Sequence, residues 1–360
     1  MKIRQTGSLA RRGRGATTQP DPRYLATSRE DFDDGWGSAD EDAPALRTTV
    51  TVERAVGIIN RNQSPDLPFN LSINPFRGCE HGCVYCYARP AHAYVDLSPG
   101  LDFESRLFAK PDAALVLRSE LARPGYRCEP LSLGANTDAY QPIERRLRIT
   151  RSIIEVLAAC RHPLTIVSKS ALIERDFDLL QPMAEQGLVQ VFLSVTTLDR
   201  ELSRRMEPRA AAPQRRLETL RRLAAAGIPC GVMVAPIIPA LNEPELERIL
   251  ETAAQVGAQH AGYVVLRLPR EVNPLFQDWL QQHYPLKYER VMARIRDLRG
   301  GADNDATFGR RMTGSGVFAE LIGQRFRRKC RELGLNRARH TLTTELFVAP
   351  ARDDRQLELF

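Results

Sequence analysis

Gly78-Cys79-Glu80-His81-Gly82-Cys83-Val84-Tyr85-Cys86-Tyr87 places three cysteines in a C-x3-C-x2-C spacing. Cys79, Cys83 and Cys86 can all point into one loop, yet they offer three thiolates and not four. A four-iron cluster normally takes four Cys ligands, so three leave one iron without a protein ligand. An open iron can bind and activate a small molecule, just as an open position separates a catalytic metal site from a closed structural one. The pattern reads as an iron–sulfur enzyme. The alternative is a structural zinc loop in which His81 or His92 completes a Cys3His set. Zinc pairs usually repeat as two short knuckles, and no second knuckle follows here.

The 360 residues suffice for one large domain or two small ones around a buried core. With 43% hydrophobic and 26% charged residues, the composition is that of an ordinary globular protein. No apolar run approaches the ~20 residues that span a bilayer. Met1-Lys2-Ile3-Arg4-Gln5 lacks the apolar stretch of a secretory signal. Seven cysteines, three of them clustered, do not form a disulfide framework. Cys128, Cys160, Cys230 and Cys330 read as core residues, and the compartment as reducing, that is, cytoplasm.

Residues 1–45 read as a disordered tail, with a basic block, Arg11-Arg12-Gly13-Arg14-Gly15, ahead of an acidic one from Glu30 to Asp42. Residues 46–272 read as the main domain, in which a strand–helix rhythm begins at about Leu67. Strands are predicted at Phe69–Ile73, Pro130–Leu133, Leu164–Val167, Val189–Val195, Ile228–Val234 and Tyr263–Leu266. Between them, helices are predicted at Pro111–Leu121, from a Thr150 cap to Cys160, and at Asp176–Glu185, Pro213–Ala226 and Glu243–Val256. Six strands separated by helices imply an α/β fold with a parallel sheet. Residues 273–348 read as a helical basic extension and 349–360 as a flexible tail. From Leu286 to His340 there are 14 Lys/Arg against 6 Asp/Glu, densest at Arg325, Arg327, Arg328, Lys329 and Arg331. Such a surface suits DNA or RNA, or is simply a solvated helix face.

The cysteine spacing resembles that of the radical S-adenosylmethionine (SAM) superfamily. The resemblance implies a [4Fe-4S] cluster on Cys79, Cys83 and Cys86, with SAM chelated by the open iron. It also implies an electron donor for reductive cleavage of SAM to a 5′-deoxyadenosyl radical. Tyr85, just before the third cysteine, would then lie near the adenine. The sheet, in that superfamily, curls into a partial (β/α)6 barrel. Chemistry collects at the C-terminal ends of parallel strands, where this chain has Asn136-Thr137-Asp138, Ser168-Lys169 and Ser194 with Thr196-Thr197. Lys169 is the candidate partner of the SAM carboxylate, and Thr137 and Ser194 of its amino group or ribose.

Gly134-Ala135-Asn136-Thr137-Asp138, Ile166-Val167-Ser168-Lys169, Leu193-Ser194-Val195-Thr196 and Glu207-Pro208-Arg209 are similar to segments of the spore photoproduct lyase-like, or DNA repair photolyase-like, branch. So is Arg216-Leu217-Glu218 through Ala226-Gly227-Ile228-Pro229 to Ala235-Pro236-Ile237-Ile238-Pro239. The match covers roughly Phe69 to Arg267, and in it Lys169, Ser194 and Thr137 fall on SAM-contacting positions. One departure matters. The branch's named enzyme has a cysteine at the end of its second strand that returns a hydrogen atom to the product radical. Ala135-Asn136 stands there in this chain, so clean dimer reversal would need Tyr140 or another group. Glu207 and Arg209 are candidates for an ion pair with each other.

The chain closes on Gln356-Leu357-Glu358-Leu359-Phe360. This resembles the Q-L-x-L-F motif that docks bacterial DNA polymerases and repair proteins on the sliding clamp. Leu359 and Phe360 would fill an apolar pocket, with Gln356 bonded beside it. The function expected is a radical SAM enzyme, of lyase type in this branch, acting on nucleic acid at a DNA lesion or modified base. The alternatives are radical modification of RNA, a peptide or a small molecule, and a non-catalytic metal-bound nucleic-acid binder.

Overall fold

Short runs rich in Val, Ile and Leu form the strands, and each hands over to a helix through a Gly-, Pro- or Asp-containing turn. A computed structural model describes residues 13–24, 46–338 and 341–351. β1 (Thr49–Val52) and β2 (Ile59–Arg61) precede β3 (Leu71–Ile73), which leads into the cysteine loop past β4 (Phe76–Arg77). Beyond the loop lie α1 (Leu101–Ser105), β5 (Arg106–Ala109) and α2 (Ala113–Leu121). β6 (Leu131–Leu133), α3 (Glu144–Leu147), α4 (Ile149–Ala159), β7 (Leu164–Ser168) and α5 (Phe177–Glu185) come next. They are followed by β8 (Val189–Ser194), α6 (Arg200–Met206), α7 (Pro213–Ala225), β9 (Cys230–Ile237), α8 (Leu246–Gln255) and β10 (His260–Val265). The extension holds α9 (Val272–His283), α10 (Tyr288–Leu298) and α11 (Val317–Leu333).

One sheet runs β10-β9-β8-β7-β6-β3-β2. Six of its strands are parallel, and β2 alone pairs antiparallel, with β3. These are the six expected strands, and β2 and β10 stay unjoined as edges, so the fold is a partial barrel. Ser72, Ser132 and Thr165 stand in register across β3, β6 and β7. Leu133, Ile166, Val191, Leu193 and Val232 fill the core with no exposed surface. All cysteine-loop and strand-end residues of interest lie at the carboxyl ends of these strands.

Three local expectations change. Thr150 does not cap α4. It sits in the first turn, its hydroxyl donating to the Ala139 carbonyl (2.6 Å), while the Glu144 carboxylate accepts its N–H (3.0 Å). A second sheet, β1-β5-β4, was not anticipated, because its strands are two to four residues long and show no apolar period. Residues 13–24, expected within the tail, pack against the cysteine loop, α1 and α9. The Thr18 hydroxyl donates to Asp278 (3.2 Å) and the Ser98 hydroxyl to the Pro20 carbonyl (2.5 Å). The rest of 1–45 lies outside the described residues, as do Gln356, Leu357, Leu359 and Phe360.

The basic extension is helical but spends much of its charge on the barrel. Arg325 pairs with Glu243 and Glu247, and Lys329 with Glu251 (2.8 Å), so α11 is pinned to the acidic face of α8 and its approach. Tyr263 of β10 packs against Phe326 at 4.7 Å between centroids, the rings tilted by 48°. Among the described residues no helix is long and apolar enough to cross a membrane.

His162, at the foot of β7, yields a test of the core. Its Nδ1–H donates to the Pro163 carbonyl (3.0 Å) and its Nε2 accepts from the Tyr126 hydroxyl (2.8 Å), so the buried ring is neutral. Burial pulls its pKa down to about 4. An unfolded histidine titrates near 6.5, so between about pH 6.5 and 4 the unfolded chain takes up a proton that the folded one refuses. Stability should fall with pH across that window by up to ~1.4 kcal/mol per unit for this group. Urea unfolding at stepped pH should show a shallower slope in His162→Phe. Identical slopes would refute this account.

Candidate cluster and cofactor site

Gly78 and Gly82 let the cysteine loop fold tightly. Both have positive φ (78° and 66°), and a Cβ on Gly82 would lie 2.7 Å from Glu104 Oε2. The loop is tied by backbone bonds from Cys79 N to Phe103 O (2.9 Å) and from Val84 N to Met206 O (3.1 Å). Gln141 holds its first turn, accepting from Glu80 N (2.8 Å) and donating to Gly78 O (3.2 Å).

A buried pair, Arg89 and Glu104, fixes its middle. Arg89 donates to Cys83 O (2.9 Å), Gly82 O (3.2 Å) and Glu104 Oε1 (2.5 Å). The same carboxylate accepts from Gly15 N (2.9 Å) and Ala16 N (2.8 Å), and Arg14 donates to the Glu104 carbonyl (2.6 Å). Residues 14–16 thus press on the loop from outside, Gly15 packing on the Gly82 carbonyl so closely that no side chain would fit.

Cys79, Cys83 and Cys86 are free thiols, and Cys79 lies close enough to the other two to sense their charge. Burial raises Cys79 far above its ordinary value and pushes Cys83 up to about 12, where Lys169 opposes the shift and Glu207 adds to it. Among the described residues no three His, Cys, Asp or Glu side chains converge closely enough to hold a single ion. Thiols spread around a volume suit a cluster whose irons take one thiolate each. Each histidine considered for a zinc set engages one ring nitrogen with the protein. His81 Nδ1 lies 3.3 Å from Asp138, and His92 Nε2 is bonded to the Arg106 carbonyl (2.9 Å). Three free thiols on one loop fit a four-iron cluster that takes three protein thiolates and keeps one iron open.

Lys169 follows β7, and its backbone N–H donates to Asp138 (2.7 Å). Its ammonium stands 5.9 Å from the centroid of Tyr85, near Cys83 and Glu207. Among the described residues no carboxylate lies within 4.0 Å of it, so a cation faces the loop with charge to spare. Burial lowers its pKa, but Cys83 and Glu207 outweigh that and raise it. Asp138 accepts from Ser168 (2.8 Å) and Tyr140 N (2.9 Å) as well. Burial opposes its ionisation, yet His81 and the Lys169 amide hold it well below the usual carboxylate range.

The remaining candidates divide. Ser194 is buried beside Lys169's strand, and its carbonyl accepts from Arg216 (2.9 Å). Thr137 donates its hydroxyl to the Phe76 carbonyl (2.8 Å), which uses its only proton to brace the loop's entrance. Tyr85 is buried, its hydroxyl donating to Glu207 and lying 3.4 Å from Thr196. Tyr140, named above as a substitute hydrogen donor, is fully buried.

Glu207 does not pair with Arg209. Arg209 reaches Glu80 (3.1 Å), while Glu207 pairs with Arg216 from α7 and accepts from Thr196 (2.6 Å). Arg216 also donates to Ala211 O (2.6 Å). Sequence reasoning missed Arg216, Glu104, Arg89 and Asn242. Asn242 donates to Thr196 O (2.7 Å) and Pro236 O (2.9 Å) and so closes the rim between β8 and β9.

The sequence of residues 73–253 matches the family model described as Radical SAM superfamily. An uncharacterized protein of Mycobacterium tuberculosis is 40% identical over 64% of this chain and 68% of its own length. One of Methanocaldococcus jannaschii is 28% identical over 61% of this chain and 78% of its own. Among solved structures, spore photoproduct lyase complexed with dinucleoside spore photoproduct superposes with a TM-score of 0.56 at 16% identity, over 79% of this chain and 80% of that one.

The Arg216–Glu207 pair, with side-chain exposures of 1% and 0%, should tolerate loss of both charges better than loss of one. Arg216→Met alone is expected to cost about 3–5 kcal/mol by leaving Glu207 uncompensated. Arg216→Met with Glu207→Leu should recover much of this in chemical denaturation, and a double variant no better than the single would refute the pairing.

Proposed function

The chain belongs to the radical SAM superfamily, enzymes that use a [4Fe-4S] cluster and SAM, and we propose that it acts on nucleic acid, at a DNA lesion or modified base. When bound, cluster and cofactor supply a 5′-deoxyadenosyl radical, given one electron from a low-potential donor. The protein's share is placement. Cys79, Cys83 and Cys86 hold the cluster, and Lys169 offers its uncompensated ammonium to the SAM carboxylate. Tyr85, locked by Glu207, forms a wall of the cup, and Ser194 lies at its floor. Water is kept away on the loop's outer side by residues 14–16.

The observation that carries this reading is the unpaired Lys169 ammonium beside Cys83, facing a loop of three free thiols. The nucleic-acid part draws support from the fold shared with spore photoproduct lyase, solved in complex with dinucleoside spore photoproduct. The net charge of +7 agrees with a polyanionic substrate. Ion pairing of Arg325 and Lys329 moves the weight of that argument away from α11 and toward the strand ends. The second-strand position held by Ala135-Asn136 sets the reaction apart from reversal of a thymine dimer through a cysteine hydrogen donor.

Anaerobically reconstituted protein should bind about four irons with matching sulfide and form 5′-deoxyadenosine on reduction, faster with lesion-bearing DNA. Cys83→Ala should abolish this. Lys169→Ala should raise the apparent KM for SAM roughly tenfold or more, the cost of one charge-assisted bond, with the cluster's absorbance intact. Protein holding one zinc and no sulfide would sink the proposal.

The C-terminal pentapeptide is proposed to dock on a sliding clamp and bring the enzyme to DNA. Residues 341–351 pass beneath the strands, Val348 N donating to Cys160 O (2.9 Å) and Thr343 N to Gly187 O (3.1 Å), at the end opposite the cup. Clamp binding measured by calorimetry should vanish on deletion of Leu359 and Phe360. Equal binding by the truncated chain would remove this part.

A further inference from the structure

A cavity of about 250 Å³ opens beside the cluster loop, lined by Arg23, Tyr87, Tyr94, Asn136, Arg267 and Arg270 among others. Tyr87 directly follows the third cysteine, Asn136 follows the end of β6, and Arg267 follows β10. The cavity therefore belongs to the carboxyl end of the sheet. A second cavity of about 260 Å³ is lined by α2, α4 and residues 348–351, none of them at the strand ends.

The lining holds three guanidiniums and no carboxylate. Arg23 is partly satisfied, by Glu271 (3.1 Å) and the Pro90 carbonyl (3.1 Å). Arg267 is not. Its Nε is buried without a hydrogen-bond partner, and its Nη1 reaches only the Met312 sulfur (3.7 Å). Its guanidinium carbon lies 5.6 Å from the Tyr87 ring centroid. Among the described residues no carboxylate comes within 4.0 Å of it. A half-buried guanidinium held only by a π face and a thioether gains most from an anion that can take its two-pronged hydrogen bonds.

Exposed aromatic surface adjoins this charge. Tyr24 and Tyr94 stack at 5.3 Å with an interplanar angle of 28°, and they are 56% and 63% exposed. Arg23 lies 5.3 Å over the Tyr24 ring, and Arg270 lies beside both hydroxyls. A cationic pocket next to an exposed tyrosine platform is the pattern of single-stranded nucleic-acid binding, where phosphate meets guanidinium and a base meets a ring. The volume suits one nucleotide and not a duplex.

We propose that this cavity binds one unpaired nucleotide of the substrate strand, its phosphodiester on Arg267 and Arg270 and a neighbouring base on the Tyr94–Tyr24 platform. The proposal rests on the nucleic-acid reading above and assigns residues 23 and 24, from the N-terminal segment, to substrate binding. SAM is served by the Lys169 side of the loop and needs none of these groups.

The test is fluorescence anisotropy on the anaerobically reconstituted full-length protein. Short single-stranded DNA and RNA oligonucleotides and an abasic oligonucleotide are the probes, and SAM binding is followed separately by equilibrium dialysis. Arg267→Ala should weaken oligonucleotide binding roughly tenfold or more and flatten its salt slope by about one. Arg270→Ala, an exposed position, should act in the same direction. Tyr94→Ala should cost about tenfold with the normal strand and leave the abasic strand unaffected. Should Arg267→Ala fail to fold, the two exposed variants decide. Wild-type affinity and salt slope in all variants that fold would overturn the cavity while leaving the nucleic-acid reading standing. Loss of SAM binding in place of oligonucleotide binding would assign the cavity to the cofactor and overturn it too. A wild-type protein that binds neither DNA nor RNA would overturn both.

Discussion

The buried Arg216–Glu207 pair is the contact on which the geometry of the site depends. Neither charge can be left alone in a dry interior, where removing one partner strands the other at a cost of several kcal/mol. Glu207 therefore keeps Arg216, Thr196 and Tyr85 around it, and Arg216 keeps the carbonyls of Ser194 and Ala211. One ion pair thereby joins the cluster loop, the end of β8, the turn after α6 and the start of α7. The loop's other flank hangs on a second pair, Arg89–Glu104, whose guanidinium also holds the carbonyls of Gly82 and Cys83. Three thiols are thus presented from a loop suspended between two buried charge pairs. Backbone carbonyls, which cannot be mutated away, take most of the load.

Much of the barrel was legible because parallel strands buried on both faces give short continuous apolar runs, and every such run became a strand within about three residues of its expected bounds. The three cysteines were legible because ligand spacing on one loop is local. Lys169 was legible only as a polar residue at a strand end, and its isolation from carboxylates appears in three dimensions alone. Partners remote in sequence were not legible. Glu207 was matched with Arg209, its neighbour two residues on, whereas α7 folds back to bring Arg216 to it, and Arg209 turns to Glu80. Proximity along the chain was a poor guide because the turn between α6 and α7 reverses direction between the two arginines.

Residues 13–24 escaped for a different reason. The segment lacks the apolar periodicity by which a packed element is recognised, since what holds it is hydrogen bonding. Two backbone N–H groups rest on a buried carboxylate, Arg14 reaches a carbonyl, and Gly15 fits only because it has no side chain. The short strands of the second sheet were hidden in the same way, as pairing partners supplied by distant chain. Conversely, the basic run at 325–331 was visible in sequence but misleading in weight. Arg325 and Lys329 answer acidic residues on and just before α8, which themselves looked like ordinary helix-surface charges.

Charge that is paired holds the fold, and charge that is not paired marks where something else binds. By that criterion Lys169 and Arg267, half-buried cations whose charged ends have neither a carboxylate nor a carbonyl partner among the described residues, matter more than the many arginines of the extension. They flank the third cysteine, Lys169 over the ring of Tyr85 and Arg267 over that of Tyr87, the residues on either side of Cys86. Tyr85 is buried with its hydroxyl on Glu207, whereas Tyr87 is half exposed with its hydroxyl on the Ala135 carbonyl, so the cations over these rings stand in different surroundings. A radical enzyme needs such a division. The cofactor must be anchored where it is cleaved, and the substrate must be held by its own contacts, close enough for hydrogen transfer yet free to leave. On the assignments proposed above, Cys86 alone separates the cofactor side of the loop from the substrate side.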